Sequence, residues 1–159
     1  MAIAVYPGSF DPPTFGHLDI VQRASALFEK LYIAIGRNPS KEDVFTLEER
    51  VKLMEALTRN ESNIQVEAFE GLLVNFVKEK GAKVIVRGLR AVSDFENEFQ
   101  MALMNRQLAG IETVFLMTSA EYLFVSSSIV EEVASFGGDV SKLVPDIVAA
   151  RLKEKFKKQ

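Results

Sequence analysis

Five short runs rich in β-branched, aliphatic and aromatic residues recur along the chain, at 3–6, 31–35, 64–69, 83–86 and 112–117. Each is followed by a longer stretch in which apolar residues return every three or four positions. Few folds suit that alternation. Strands linked by helices run parallel, and strands apolar at nearly every position must be covered on both faces. The helical stretches lie at 18–28, 47–57, 72–80 and 93 to about 108, with one after Ser126 and one from Pro145 onward. Thr46 with Glu49, and Ser93 with Glu96, have capping-box spacing, and Gly81 stops the third helix. No repeat, linker or low-complexity segment divides the chain. The pattern predicts one α/β domain over 1–159: a Rossmann-like, doubly wound, five-stranded parallel sheet with helices on both faces.

Such sheets bind ligands beyond the carboxyl ends of their strands, where strand order reverses. Composition narrows the chemistry available there. The 159 residues include no cysteine and one histidine, His17, which excludes disulfides, thiolate catalysis and cysteine- or multi-histidine-bound metals. Any metal would be a hard cation held by oxygen ligands. A net charge of −3 and a pI near 5.3 argue against a generic nucleic-acid or membrane surface. The lysines at 153, 155, 157 and 158 read as cations at a helix C-terminus. The N-terminus begins as a strand rather than a basic and apolar leader, and no apolar run reaches bilayer length. A cytoplasmic protein is expected.

After the successive strands come "PGSFDPPTFGH", "GRNPSK", "EGLL", "RGLR" and "TSAEYLFVSSS". Four of these five carry an anion binder: His17, Lys41, Arg87 with Arg90, and the serine run. Their convergence predicts a phosphate ligand. Gly8 permits a tight turn or a close backbone approach, Pro12 and Pro13 stiffen the loop, and Gly16 precedes His17 at the mouth of a helix. Amides at a helix start form a phosphate site. A lone histidine usually packs or caps, but this one stands among the other anion binders and reads as a phosphoryl donor. Asp11 in a proline-rich turn reads as structural, with action on a cation through water as the alternative. Glu98 and Asn105 share one helix face, which on spacing alone would be a solvated stripe. No G-x-G-x-x-G and no G-x-x-x-x-G-K-[ST] occurs, which disfavours dinucleotide dehydrogenases and P-loop enzymes.

The segment "TFGH" (14–17) fits [HT]-x-G-H, the signature of the nucleotidyltransferase superfamily, and "VSSSIV" (125–130) resembles its second motif. Joined to "YPGSFDPPTFGHLDI", "PSK…FTLEER", "VRGLRAVSDFE" and "SSSIVEEV", the chain is similar nearly end to end to one family, the bacterial phosphopantetheine adenylyltransferases. The resemblance implies adenylyl transfer from ATP to 4′-phosphopantetheine, giving dephospho-CoA and pyrophosphate in coenzyme A biosynthesis. It implies catalytic roles for His17, Lys41 and Arg90, and contacts to phosphopantetheine from Ser9, Lys41, Leu73, Arg87 and Asn105. ATP would be bound by Ser9, Phe10, His17, Gly88, Leu89, Arg90 and Glu98, and by the turn Tyr122, Leu123, Phe124, Val125, Ser126, Ser127 and Ser128. It further implies Mg²⁺ carried with the ATP phosphates, a homohexamer, and feedback binding of coenzyme A. Three positions depart from the family's habit: Asn97 where an aromatic residue is frequent, Tyr122 where a tryptophan is, and Glu131 where a basic residue is. They bear on adenine and triphosphate contacts rather than on the reaction. The alternatives are another small nucleotidyltransferase, such as a nicotinate mononucleotide adenylyltransferase, and a non-catalytic nucleotide-binding domain. The first would share the opening loop but not "RGLRAVSDFE".

The residue inventory agrees with the implied chemistry. An ionised phosphate attacking an α-phosphorus in line needs neither a strong general base nor a covalent nucleophile. It needs positioning, and stabilisation of the charge that moves toward pyrophosphate.

Overall fold

All five predicted strands pair in parallel in the computed structural model, which describes residues 2–157 and leaves the side chains of Val92 and Ser93 outside the description. The strands are β1 (Ile3–Gly8), β2 (Lys30–Ile35), β3 (Ile64–Ala68), β4 (Val84–Leu89) and β5 (Glu112–Met117), and their order is β3-β2-β1-β4-β5. The helices are α1 (Phe15–Leu27), α2 (Leu47–Thr58), α3 (Leu73–Glu79), α4 (Val92–Ala109), α5 (Ser127–Ser135) and α6 (Asp146–Lys157).

The two faces of the sheet divide by alternation. Ala4 and Tyr6 of β1 and Leu31, Ile33 and Ile35 of β2 pack with Ile20, Val21 and Ala24 of α1 and Met54 of α2. Val5, Tyr32, Ala34 and Ile85 point the other way, onto Val74, Phe76 and Val77 of α3. Both sides are therefore buried, as the near-continuous apolar strands require. A third cluster joins Phe45 and Leu53 to Val130, Val144, Val148 and Leu152, seating α5 and α6 against α2.

Element ends differ from the predicted ones for local reasons. β1 continues through Pro7 to Gly8 and β4 through Arg87 and Gly88 to Leu89, because these polar or breaking residues stay in register with β2 and β5. A proline in a central strand removes a ladder donor. Pro7 is tolerated because β1 and β4 pair only at Ala4↔Val84 and Val5↔Ile85 and then part; its carbonyl accepts from Arg87 Nη1 instead, at 3.0 Å. Thr46 and Glu49 form the expected capping box of α2. α4 opens at Val92 with Ala91 as an N-cap that makes no side-chain bond. Ser93, expected as the N-cap, instead falls inside the helix, two positions after the Ala91 cap, because α4 begins earlier than its periodicity suggests. A 3₁₀ turn over Ala120–Tyr122, without a clear sequence signal, lies between β5 and α5.

Candidate active site

The parting of β1 from β4 opens a cleft of about 400 Å³ at the carboxyl edge of the sheet, between the strands where the order reverses. Its floor is Tyr6 to Gly8 of β1 and Arg87 and Gly88 of β4. Ser9, Phe10, Thr14, Gly16 and His17 wall one side; Arg90, Asp94, Asn97 and Glu98 wall the other; Val125 to Ser128 and Thr118 close the end.

His17 is placed by its own helix. Thr14 is the N-cap of α1, and its hydroxyl accepts from the His17 amide at 3.3 Å. The Thr14 amide in turn donates to His17 Nδ1 at 3.0 Å. This is a capping box in which imidazole stands where Glu or Gln is usual. Because Nδ1 accepts, the proton of the neutral ring sits on Nε2, which is left as a donor. Burial, reinforced by the Arg90 and Arg87 guanidiniums, holds the imidazole pKa down at about 4. Neutral His17 thus offers a hydrogen bond rather than a charge. The Phe10 ring meets it edge-on at 4.9 Å between centroids.

Phe10 itself adopts φ 48°, in the left-handed region that side chains avoid, and is buried. Its ring lies so near Gly8 that a Cβ there would come within 2.9 Å of Phe10 Cε2. The close approach anticipated at Gly8 is therefore made by the protein's own ring. Backbone strain of this kind persists only where surrounding contacts overdetermine it. Two buried charged groups supply them. The Asp11 carboxylate accepts from the amides of Val44 and Phe45 at 2.8 and 2.9 Å. Burial pushes its pKa up, opposed by those same two donors. Arg50, fully buried, donates to the carbonyls of Phe45 (3.1 Å), Ser9 (2.8 Å) and Gly36 (2.9 Å). The Phe45 peptide is gripped from both ends, and the loop after β2 is locked to the loop after β1.

On the opposite wall, Arg87 is held by Glu98 through hydrogen bonds of 2.8 and 2.6 Å. Arg90 Nη1 donates to the Val125 carbonyl at 3.1 Å. Ser126 is the N-cap of α5, accepting from the Ile129 amide at 3.2 Å, and Ser127 donates to the Pro12 carbonyl at 2.8 Å. The start of α5 therefore faces that of α1 across the cleft. Asp19 of α1 accepts from the amide and hydroxyl of Ser119 at 3.1 and 2.8 Å, fastening the segment after β5.

Of the residues expected at the site, the cleft brings together Ser9, Phe10, His17, Arg87, Gly88, Arg90, Glu98 and Val125 to Ser128. Lys41 stands at the rim, donating to Ser128 at 2.9 Å. The others lie off its lining. Leu89 is buried behind it; Leu73, the first residue of α3, packs against the cluster on the far face of the sheet; Asn105 is buried in α4; Tyr122 stacks on Phe15 at 6.0 Å; Leu123 and Phe124 are exposed. Among residues not anticipated, Thr14 had a usable signal, the three-residue spacing to His17. Arg50 had none. Asp94 and Thr118 also line the cleft, and neither stands out in the sequence.

A parallel sheet with its cleft at the reversal, two helix starts facing it and several cations around it describes a nucleotidyltransferase, and the cytidylyltransferase-like family model matches residues 5–133. Solved structures with this fold include a putative nicotinate-nucleotide adenylyltransferase from Vibrio parahaemolyticus, with a TM-score of 0.72 at 18% identity, covering 99% of this chain and 96% of that one. A nicotinic acid mononucleotide adenylyltransferase from Plasmodium falciparum superposes with a TM-score of 0.70 at 16% identity, over 96% of this chain and 94% of that one. Sequence relatives are nearer. A phosphopantetheine adenylyltransferase from Carboxydothermus hydrogenoformans is 57% identical over 100% of this chain and 99% of its own length. One from Caldanaerobacter subterraneus is 54% identical over 99% of each. The chain belongs to the phosphopantetheine adenylyltransferase family.

Proposed function

We propose that this enzyme transfers the adenylyl group of ATP to the phosphate of 4′-phosphopantetheine, forming dephospho-CoA and pyrophosphate in coenzyme A biosynthesis. One observation carries the reading: the neutral imidazole of His17, the guanidiniums of Arg87 and Arg90 and the start of α5 all converge on one cleft beside Gly88. The acceptor phosphate is ionised, so its oxygen attacks the α-phosphorus unaided. What the protein contributes is placement and donors. His17, fixed through Nδ1 by Thr14, would donate from Nε2 to the phosphoryl oxygens as charge builds. Arg90 and the amides and hydroxyls of Ser126 to Ser128 would take the triphosphate, with Ser9, Phe10, Gly88, Leu89 and Glu98 on the rest of the nucleotide. Lys41 and Arg87 would take the acceptor phosphate, bidentately in the case of Arg87. Leu73 and Asn105 belong to the pantetheine end, Lys41 and Arg90 also act on the transferring group, and Tyr122 to Phe124 stay near adenine.

Among the described residues, no three acidic or imidazole side chains gather to hold a metal ion, and the cleft carboxylates Asp94 and Glu98 face Arg90 and Arg87. Mg²⁺ enters the proposal as the counter-ion of ATP, part of the substrate, and no step is routed through it. No helix among the described residues is long and apolar enough to cross a membrane. The proposal places the enzyme in the cytoplasm, where its ATP is supplied. The proposal extends to a homohexamer, supported by the exposed Phe99, Leu103, Met104 and Leu108 of α4, and to coenzyme A as a feedback ligand of the same cleft.

Pyrophosphate release from ATP tests the reading, with 4′-phosphopantetheine and nicotinate mononucleotide compared as acceptors. Release with the first and not the second is expected. Release with nicotinate mononucleotide alone would reassign the acceptor, and release with neither would leave a nucleotide-binding domain.

A further inference from the structure

Every cation expected to meet a phosphate already faces a carboxylate. Arg87 has Glu98 at 2.6 Å, Arg90 has Asp94 at 3.6 Å, and Lys41 has Glu131 at 3.0 Å. The three pairs differ in kind. Arg87 and Glu98 share two hydrogen bonds and a third reaches Pro7, which makes that pair part of the cleft's frame. Arg90 and Asp94 are neighbours on one helix end, too far apart for a hydrogen bond. Lys41 and Glu131 join an exposed loop, the one after β2, to the first turns of α5.

That loop is exposed from Arg37 to Asp43. At its tip the hydrogen bonds are internal, from Ser40 to Asn38 and from the Lys41 amide to the Asn38 carbonyl. At the base of the loop the Asp43 carboxylate lies 3.5 Å from Arg50 of α2, while the tip is tied to the body by the Lys41 ammonium, shared between Glu131 and Ser128. The two acceptors are not equivalent. Ser128 lines the cleft and is neutral; Glu131 stands one helical turn further on and is charged. A phosphate arriving at Lys41 can share the ammonium with the hydroxyl, but it meets the carboxylate as a like charge within a few ångströms.

We propose that Glu131 is an affinity-setting counter-ion: its carboxylate neutralises Lys41 in the empty cleft, is exchanged for a phosphate oxygen on binding, and weakens the grip of the site on phosphorylated ligands, the pyrophosphate product included. This rests on reading the cleft as a site of adenylyl transfer. An exposed ion pair is weak enough to be exchanged readily. Its function is to oppose retention, so that free polyphosphates do not occupy the empty cleft and the product leaves.

The test is Glu131→Gln, an isosteric change at a half-buried position, alongside Glu131→Asp. Inorganic pyrophosphate affinity is measured by titration calorimetry, and the KM for 4′-phosphopantetheine at saturating ATP, each at low and at high salt. In Glu131→Gln the pyrophosphate Kd and the KM should both fall on the order of three- to fivefold at low salt, and the gain should shrink at high salt as screening shortens the reach of the charge. Glu131→Asp, which keeps the charge, should stay nearer the parent. Weaker pyrophosphate binding with a higher KM would mean that Glu131 places Lys41 rather than opposing its ligand, and overturns the proposal. Unchanged constants overturn it equally. A parent inactive with phosphopantetheine but with pyrophosphate bound more tightly by Glu131→Gln would sink the substrate assignment and leave the counter-ion standing. Normal turnover in the parent with no effect of the substitution would do the reverse.

Discussion

His17 divides two duties between the nitrogens of one ring. Nδ1 completes the cap of α1 and Nε2 is left toward the cleft. Replacing His17 by Ala should lower kcat by about 10²–10³, with a much smaller change in ATP affinity, measured by steady-state kinetics beside equilibrium binding. Equal losses in both would remove the transition-state role. The ring also links stability to pH. Its pKa of about 4 in the fold lies below the ordinary 6.5, so the unfolded chain takes the proton first as pH falls. The contribution of the neutral ring is complete above 6.5 and is lost toward 4, and His17→Gln should flatten that segment of a Tm-against-pH curve. Gly16 beside it makes a separate point. A Cβ there would lie 3.5 Å from Thr14 Oγ1 and 3.7 Å from Tyr122 Cβ, an ordinary fit. Gly16→Ala should therefore hold or raise Tm, with up to about 1 kcal/mol from the helix preference for Ala, while the KM for ATP rises. A lowered Tm with unchanged kinetics would show that the glycine serves the fold and not a ligand.

The elements were legible in the sequence wherever a period was strong, and obscure where tertiary contacts override local signals. Alternating strands and amphipathic helices announced the parallel sheet, and β5 falls on its predicted bounds. Pro7 and Arg87 disguised the carboxyl ends of β1 and β4, since a proline and an arginine before glycine read as loop. The charged residues at strand ends gather around the cleft, because the cleft opens at the carboxyl edge of the sheet. Arg50 was invisible for the converse reason. It lies in the polar stretch "LEER" of a helix, while its acceptors come from Ser9, Gly36 and Phe45 on separate loops. Its effect belongs to this scale, because it locks loop to loop. Arg50→Met would leave three buried carbonyls without their donor and the Asp11 carboxylate without its nearby cation. A loss of about 3–5 kcal/mol is expected on urea unfolding, and Arg50→Lys should recover part of it. A loss below about 1 kcal/mol would show that the two loops hold each other without it.

At the scale of the whole molecule, the apolar outer face of α4 is one stretch of exposed apolar surface among the described residues, and the proposed homohexamer would cover it. Leu103 and Met104 are 51% and 52% exposed, beside Phe99 and Leu108. A charge there should oppose assembly, so Leu103→Glu is expected to shift the protein to monomers in sedimentation velocity while far-ultraviolet circular dichroism is unchanged. Persistence of the parent species would place the interface elsewhere. The early parting of β1 from β4 has a broader consequence. The sheet is continuous at its amino end and unstitched at its carboxyl end, so the molecule is two leaves joined along a short spine. One leaf carries His17 and Ser9, the other Arg87 and Arg90, and a nucleotide bound as proposed would touch both sides of the seam that the backbone leaves open. On the proposed function, a bound substrate would bridge the two leaves where the ladder stops, adding to the side-chain links that Arg87 makes to Pro7 and Ser119 makes to Asp19.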